Sequence, residues 1–155
     1  MEPHASPPDQ PFPEALRGHR SQLRESMSAL EYALAAPAIA GQARWAQRVH
    51  VALVELSGDF RAHVDITEGP DGLYRDLLKT SPRLSGAVVG LSREHALITG
   101  QVDDLLSRVA TPDVIEDVDR VRDLGTALLG TLVRHRQRGS DLVFEAYEVD
   151  IGGET

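Results

Sequence analysis

The pattern of apolar and polar positions divides most of the chain into four stretches with a helical period. Within each stretch, apolar residues and histidines return every three or four positions, which places them on one face of an α-helix. The first stretch predicts helix A over 14–35, with the face Leu16, His19, Leu23, Met27, Leu30 and Leu34. The second stretch predicts helix B, with the face Trp45, Val49, Leu53, Leu56, Phe60 and His63.

Two later stretches repeat this pattern, and each follows a helix-start signal. Ser81-Pro82 and Thr111-Pro112 both place a capping residue before a proline at the first helical position. Helix C carries the face Val88, Leu91, His95, Ile98, Val102, Leu105 and Val109. Helix D carries the face Val118, Val121, Leu124, Leu128, Leu132, His135 and Leu142.

The segments between these helices are short. The breaker GPDG at 69–72 ends helix B, and LYRDLLK at 73–79 predicts a short connecting helix. Four long amphipathic helices with short connections predict an all-α fold, an antiparallel up-down-up-down four-helix bundle with a short extra helix between B and C. We expect the bundle to cover 14–150, with a flexible proline-rich tail over 1–13 and a short tail over 151–155.

Composition narrows the classes of function. The net charge of −8 argues against nucleic-acid binding, because phosphate neutralisation drives that association. No apolar run approaches the roughly 20 residues that span a bilayer, so we expect no membrane partner and a cytoplasmic location. The chain of 155 residues contains no cysteine, so a metal would be held by His, Asp and Glu.

Each predicted long helix carries one histidine on its apolar face: His19, His63, His95 and His135. At 1.5 Å rise per residue, an antiparallel arrangement brings the four to similar depths along the bundle. Buried imidazoles need hydrogen-bond partners, and a metal ion would accept the lone pairs of all four at once. The alternative is four separate, hydrogen-bonded core histidines. His50 lies off the apolar face and is expected to flank the site or lie at the surface.

Carboxylates near these histidines are candidate metal ligands. Glu68 lies five residues after His63, about 140° further round the helix, so it reaches the site only if the helix end unwinds at the breaker. Asp141 lies six residues after His135, where Gly139 would permit a local bulge, and Glu145 is an alternative. The alternative for these acids is an ordinary surface position. Gly139 also indicates either room for a small ligand beside His135 or close helix packing.

These features together resemble the hemerythrin-like (HHE cation-binding) family over nearly all of 14–150. The likeness rests on His19, HVDITE in helix B, Glu94-His95 in helix C, and HRQRGSD followed by LVFEAY in helix D. The resemblance implies a four-helix bundle with a non-haem di-iron centre bridged by carboxylates. The metal ligands that it implies are His19, His63, Glu68, His95, His135 and Asp141.

Some positions depart from the family pattern. Thr67 stands where a carboxylate is usual in helix B, and Thr99 stands where oxygen carriers keep another histidine. Six candidate ligands instead of seven favour an asymmetric di-iron site or a single metal over a dedicated oxygen carrier. The resemblance implies a protein that binds or senses dioxygen, nitric oxide or iron. An oxidoreductase that acts on peroxide or activates oxygen, and a metal-free helical adaptor, are the alternatives.

Overall fold

A computed structural model describes residues 14–39, 41–111 and 117–147 of the chain. It contains five α-helices in these ranges: α1 (Glu14–Ala35), α2 (Gln42–Glu68), α3 (Leu73–Thr80), α4 (Ser85–Val109) and α5 (Val118–Phe144). A 3-10 turn at Pro82–Leu84 precedes α4, and a π turn over 145–147 follows α5. The described ranges contain no β-strand, so the prediction of an all-helical chain with four long helices is confirmed. The predicted short helix after the breaker is confirmed as α3.

The starts of the last two long helices differ in detail from the prediction. Ser81-Pro82 does begin a helical segment, but its first turn is the 3-10 turn that leads into α4. Helix α5 starts at Val118, where the Asp117 side chain accepts a hydrogen bond from the backbone N–H of Arg120 at 3.2 Å. An aspartate in this position satisfies an N–H group that the helix leaves without a partner. Pro112 and the predicted tails over 1–13 and 151–155 lie outside the described residues.

The GPDG breaker forms a tight turn between α2 and α3. Helix α2 stays helical through Glu68, so the unwinding that Glu68 was expected to need in order to reach the site does not occur. The turn needs glycine at position 72, because a Cβ atom there would lie 2.6 Å from the Thr67 carbonyl oxygen and 2.8 Å from that of Gly69. The sharp reversal packs α3 against α2 and buries the Tyr74 ring.

The four long helices pack in a closed order, in which α1 and α4 each contact both α2 and α5. Arg20, near the start of α1, donates a hydrogen bond to Ser140, near the end of α5, over 2.8 Å. At the other end of the same pair, a Cβ on Gly125 would lie 2.5 Å from a Leu34 methyl group. Glycine at this position therefore lets α1 and α5 approach closely.

The apolar core consists of two clusters. The larger cluster fills the space between the four long helices, from Leu23 and Trp45 to Leu128 and Leu132. The smaller one joins α3, the 3-10 turn, the start of α4 and the end of α5, and it is formed by Tyr74, Leu77, Leu84, Val88, Leu91, Leu142, Val143 and Ala146. In the part of the chain that the structure describes, no helix is both long and apolar enough to cross a membrane.

Candidate metal centre

Three imidazole rings from three different helices meet between the two apolar clusters. His63 comes from α2, His95 from α4 and His135 from α5. The Nε2 atom of His135 lies 3.2 Å from that of His63 and 3.1 Å from that of His95. One ring nitrogen from each residue lies within 4.8 Å of the other two. His95 and His135 are only 3% and 1% exposed, and His63 is partly buried.

Aromatic side chains hold the three rings in place. Phe60, one turn before His63 on α2, stacks on the His63 ring at 5.7 Å and meets the His95 and His135 rings edge-on at 5.7 and 6.2 Å. Tyr74 of α3 also stacks on the His95 ring, with ring centroids 6.0 Å apart and an angle of 11° between the ring planes. Such aromatic contacts restrict the ring orientations, so the nitrogens face one another in a preorganised arrangement.

Two carboxylates lie behind the imidazoles, on their opposite nitrogens. Glu94 Oε2 lies 2.8 Å from Nδ1 of His135, and Arg138 forms an ion pair with the other oxygen of Glu94. Glu68 Oε2 lies 3.1 Å from Nδ1 of His95, a close approach that is poorly aligned for a hydrogen bond. A carboxylate on one nitrogen of an imidazole orients the ring and makes the other nitrogen a better metal ligand.

The contact with Glu94 fixes the proton of one ring. A carboxylate accepts hydrogen bonds, so Nδ1 of His135 carries the ring hydrogen and its Nε2 presents a lone pair. That lone pair faces Nε2 of His63 across 3.2 Å and Nε2 of His95 across 3.1 Å. A neighbouring ring can donate one hydrogen bond to it, whereas a cation would take a lone pair from each of the three Nε2 atoms at once.

The acid–base properties of the site keep the rings of His63 and His135 neutral. Burial, with the nearby His135, His95, Arg20 and Arg136, lowers the pKa of His63 to about 3. Burial also lowers the pKa of His135, although its hydrogen bond to Glu94 acts in the opposite direction. Neutral imidazoles have a lone pair available for a metal at neutral pH, whereas imidazolium ions do not.

The two carboxylates behind the rings stay ionised. For Glu68, burial acts to raise the pKa, but a hydrogen bond from Ser92 and the close approach of His95 outweigh it and hold the pKa below its usual range. For Glu94, burial is again the largest influence, and hydrogen bonds from His135 and Arg138 together outweigh it and lower the pKa. Both groups therefore offer negative charge to the Nδ1 sides of the rings at neutral pH.

The structure brings together three of the six predicted ligands as direct neighbours. His63, His95 and His135 form the group, whereas His19 is partly buried on α1 and is not part of it. Glu68 is next to the group but contacts the far nitrogen of His95. His50 is partly buried on α2 and also lies outside the group.

The predicted carboxylates of helix D lie away from the imidazoles. Asp141 is exposed and accepts a hydrogen bond from Gln137 over 2.9 Å, and Glu145 pairs with Arg83 over 2.8 Å. Helix α5 continues without a bulge at Gly139, so the local distortion that would turn Asp141 inward is not formed. Asp141 therefore has no contact with the three rings in this structure.

Glu94 is the site residue whose role sequence reasoning missed. In the sequence, Glu94 stands out only as the neighbour of His95 on the same helix. Its contact is with His135 of the facing helix, because a residue adjacent to a core position points about 100° away, towards a neighbouring helix. The signal that could have identified Glu94 is its place beside a core histidine, when a second core histidine is expected at similar depth on another helix.

A small cavity of about 20 Å³ opens beside His63 and His135. Its wall includes Arg20 of α1, Arg136 and Gly139 of α5. A Cβ built on Gly139 would meet no heavy atom within 4 Å, so the residue leaves space beside the rings. This volume suits roughly one water or a ligand of similar size.

Comparison of the chain with family models, with curated proteins and with solved structures found no match. Function is therefore inferred from the geometry of the site.

Proposed function

We propose that this chain is a metal-binding protein that holds one divalent transition-metal ion on the Nε2 atoms of His63, His95 and His135. The observation that carries the proposal is the convergence of three Nε2 atoms, since Nε2 of His135 lies 3.2 Å from that of His63 and 3.1 Å from that of His95. Glu94 holds the proton of His135 on Nδ1, so the Nε2 lone pair of this ring points to the other two. A shared cation would bind all three nitrogens.

The distances suit a common ion. In a tetrahedral site with metal–nitrogen distances of about 2.0–2.1 Å, two ligand nitrogens lie roughly 3.3–3.4 Å apart. The observed separations from His135 are 3.2 and 3.1 Å, so small outward movements of the rings would accommodate the metal. Three protein ligands with a further position left for another ligand are typical of zinc sites that bind substrate.

The carboxylates support a single ion in preference to a pair. Two iron ions held together need bridging oxygens, and neither Glu68 nor Glu94 lies on the side where the three Nε2 atoms meet. Each of them instead lies on the Nδ1 atom of a ring. Glu68 would have to leave His95, and Glu94 would have to leave His135, before either could bridge.

Two parts of the hemerythrin-like resemblance belong to the proposal, the order of the helices and the possibility of iron as the metal. We propose the antiparallel up-down-up-down order of the four long helices, which the contacts of Arg20 with Ser140 and of Leu34 with Gly125 support. Iron, which the resemblance implies, and zinc both suit three imidazoles. With iron, the proposed activity is reversible binding of a small ligand such as dioxygen or nitric oxide beside the cavity.

Titration of the metal-free protein with Zn(II) and with Fe(II) under anaerobic conditions tests the proposal. We expect one ion per chain by calorimetry and elemental analysis, with binding abolished in His95→Ala and His135→Ala. His50→Ala is the matched control, because this histidine is on α2 but lies outside the group, and it should bind one ion as the wild type does.

Two results would contradict this proposal. Binding of two ions per chain, with both lost in Glu68→Ala, would restore the bridged di-iron interpretation. Absence of stoichiometric binding of either ion would leave the three rings as a packed core cluster. His19→Ala gives a further distinction, since we expect it to retain the metal.

A further inference from the structure

We infer that this chain forms a symmetric dimer, in which the outward face of α4 packs antiparallel against the same face of a second copy. The inference does not depend on the proposed metal site, because the residues that carry it lie on the side of α4 opposite His95.

The outward face of α4 is unusually apolar for an exposed helix face. Two of its large apolar side chains, Val89 and Leu97, are 49% and 58% exposed. Arg93 is the one charged residue of this face between Gly86 and Gly100. An exposed apolar stripe of this kind is typical of a helix that packs against a partner. The whole face consists of Gly86, Val89, Gly90, Arg93, Leu97, Gly100 and Asp104, which are all exposed in the single chain.

Packing within the chain does not require the three glycines of this face. A Cβ built on Gly86, Gly90 or Gly100 would meet no heavy atom within 4 Å. Glycine inside a helix destabilises it relative to alanine. The absence of a side chain does, however, let a second helix approach the backbone closely. These positions therefore suit a face that another helix covers.

The order of residues along the face identifies the partner as a second copy. Arg93 lies four residues before Leu97, and Asp104 lies four residues after Gly100. When two copies of α4 run antiparallel with Leu97 opposite Gly100 of the second copy, Arg93 is opposite Asp104 of that copy. The two-fold axis repeats both contacts, so the dimer has two leucines packed on glycines and two ion pairs.

The charged groups of the face can form these ion pairs. Arg93 is exposed, and no described residue forms an ion pair with it. Asp104 binds Arg108 of its own helix through Oδ2 over 3.0 Å, which leaves Oδ1 for Arg93 of the second copy. One turn further out, Gly90 would face Ser107 of the second copy, and both residues are small. The charges and the sizes of the side chains therefore match in the same register.

The position of α4 in the bundle is compatible with this dimer. Helix α4 packs between α2 and α5 and lies diagonally across from α1. The cavity beside His63 and His135 is lined by residues of α1, α2, α3 and α5, so dimerisation through α4 leaves it uncovered. One pair of helices forms an interface at the lower end of the size range for specific complexes, so we expect a reversible dimer.

Sedimentation equilibrium of the full chain over a range of concentrations tests the inference. We expect the mass of the wild type to rise with concentration from that of one chain to that of two. Arg93→Glu places like charges opposite each other twice in the dimer, so it should weaken association at least about tenfold. Addition of Asp104→Arg to this variant exchanges the two charges and should restore association. Arg17→Glu is the matched control, an exposed arginine on α1 that should not affect dimerisation.

A cross-linking experiment keeps the test decisive if a charge variant fails to fold. The chain has no cysteine, so single introduced cysteines report contacts between copies. A mixture of Leu97→Cys and Gly100→Cys should form a disulfide between two chains with oxidised glutathione, because antiparallel packing brings these positions together. Gly86→Cys should not form one with itself, because its two copies lie at opposite ends of the interface.

Three results would overturn the inference. The first is a wild type that keeps the mass of one chain at every concentration. The second is a dimer that is equally strong in Arg93→Glu, which would place the interface on another face. The third is a disulfide between two copies of Gly86→Cys, which would show that the helices do not run antiparallel.

Discussion

Replacement of Glu94 by glutamine is the sharpest test of how the imidazoles are held. The carboxylate accepts from Nδ1 of His135 over 2.8 Å with one oxygen and pairs with Arg138 through the other. A glutamine amide has one oxygen and one NH₂ group, so it cannot accept from both partners. If the amide oxygen faces His135, its NH₂ group faces the guanidinium, and two donors then oppose each other.

The size of the effect follows from this loss. Removal of a partner that orients a ligand imidazole typically reduces metal affinity about 10–100-fold, which corresponds to roughly 1.4–2.7 kcal/mol. We expect Glu94→Gln to lie within this range, because Glu94 is mostly buried and its charge is poorly screened. The fold should persist, since both side chains have nearly the same shape.

Competition between the protein and a chelator of known zinc affinity measures this change. Glu145→Gln is the matched control, because Glu145 is an exposed acid that also pairs with an arginine but has no contact with the imidazoles. Its zinc affinity should equal that of the wild type. Equal affinity in Glu94→Gln and in the wild type would refute the role of this carboxylate in preparing His135 as a ligand.

Three further predictions concern stability. His135→Leu should abolish metal binding yet raise the melting temperature of the metal-free protein, because an apolar side chain replaces a buried polar ring; a lower melting temperature would contradict this. Stability of the metal-free protein should rise with pH between pH 5 and 6.5 and level off above, because the unfolded state binds the proton that the lowered pKa of His63 keeps off the folded state. The slope from His63 alone is about 1 kcal/mol per pH unit, so urea unfolding should show a smaller slope in His63→Leu, where the lowered pKa of His135 remains, than in the wild type. Arg122→Ala should destabilise the protein by roughly 2 kcal/mol, since the side chain donates hydrogen bonds to the carbonyl oxygens of Leu34 and Ala36 over 2.9 and 2.8 Å. A melting temperature equal to that of the wild type would show that these two hydrogen bonds do not stabilise the fold.

The proposed metal site and the fold are coupled in this chain. The region of the rings separates the two apolar clusters, since Leu91 of the smaller cluster and Ile98 of the larger one flank His95 on α4. Polar groups here interrupt what would otherwise be a continuous core. Binding of an ion to the folded state only should therefore raise the melting temperature, by the linkage between binding and folding.

Helix positions followed from sequence because they depend on local periodicity. An apolar residue every three or four positions makes one face of a helix that must be buried, whichever helix covers it. This is why α1 begins and ends where expected, and why His95 and His135 were expected to be buried. The GPDG turn was recognisable for a similar reason, since glycine and proline act on their own backbone.

The partners of the polar groups could not be read from the same pattern, because they depend on how each helix is rotated about its axis against its neighbours. One residue along a helix changes the direction of a side chain by about 100°, which is enough to exchange His19 for Arg20 at the cavity. The same rotation turns Glu94 to His135 of the facing helix and leaves Asp141 exposed on the outside of α5. Sequence by itself determined that histidines would lie in a helical core without cysteine. Only the tertiary packing decided that three of them meet, and that the carboxylates lie on their opposite nitrogens.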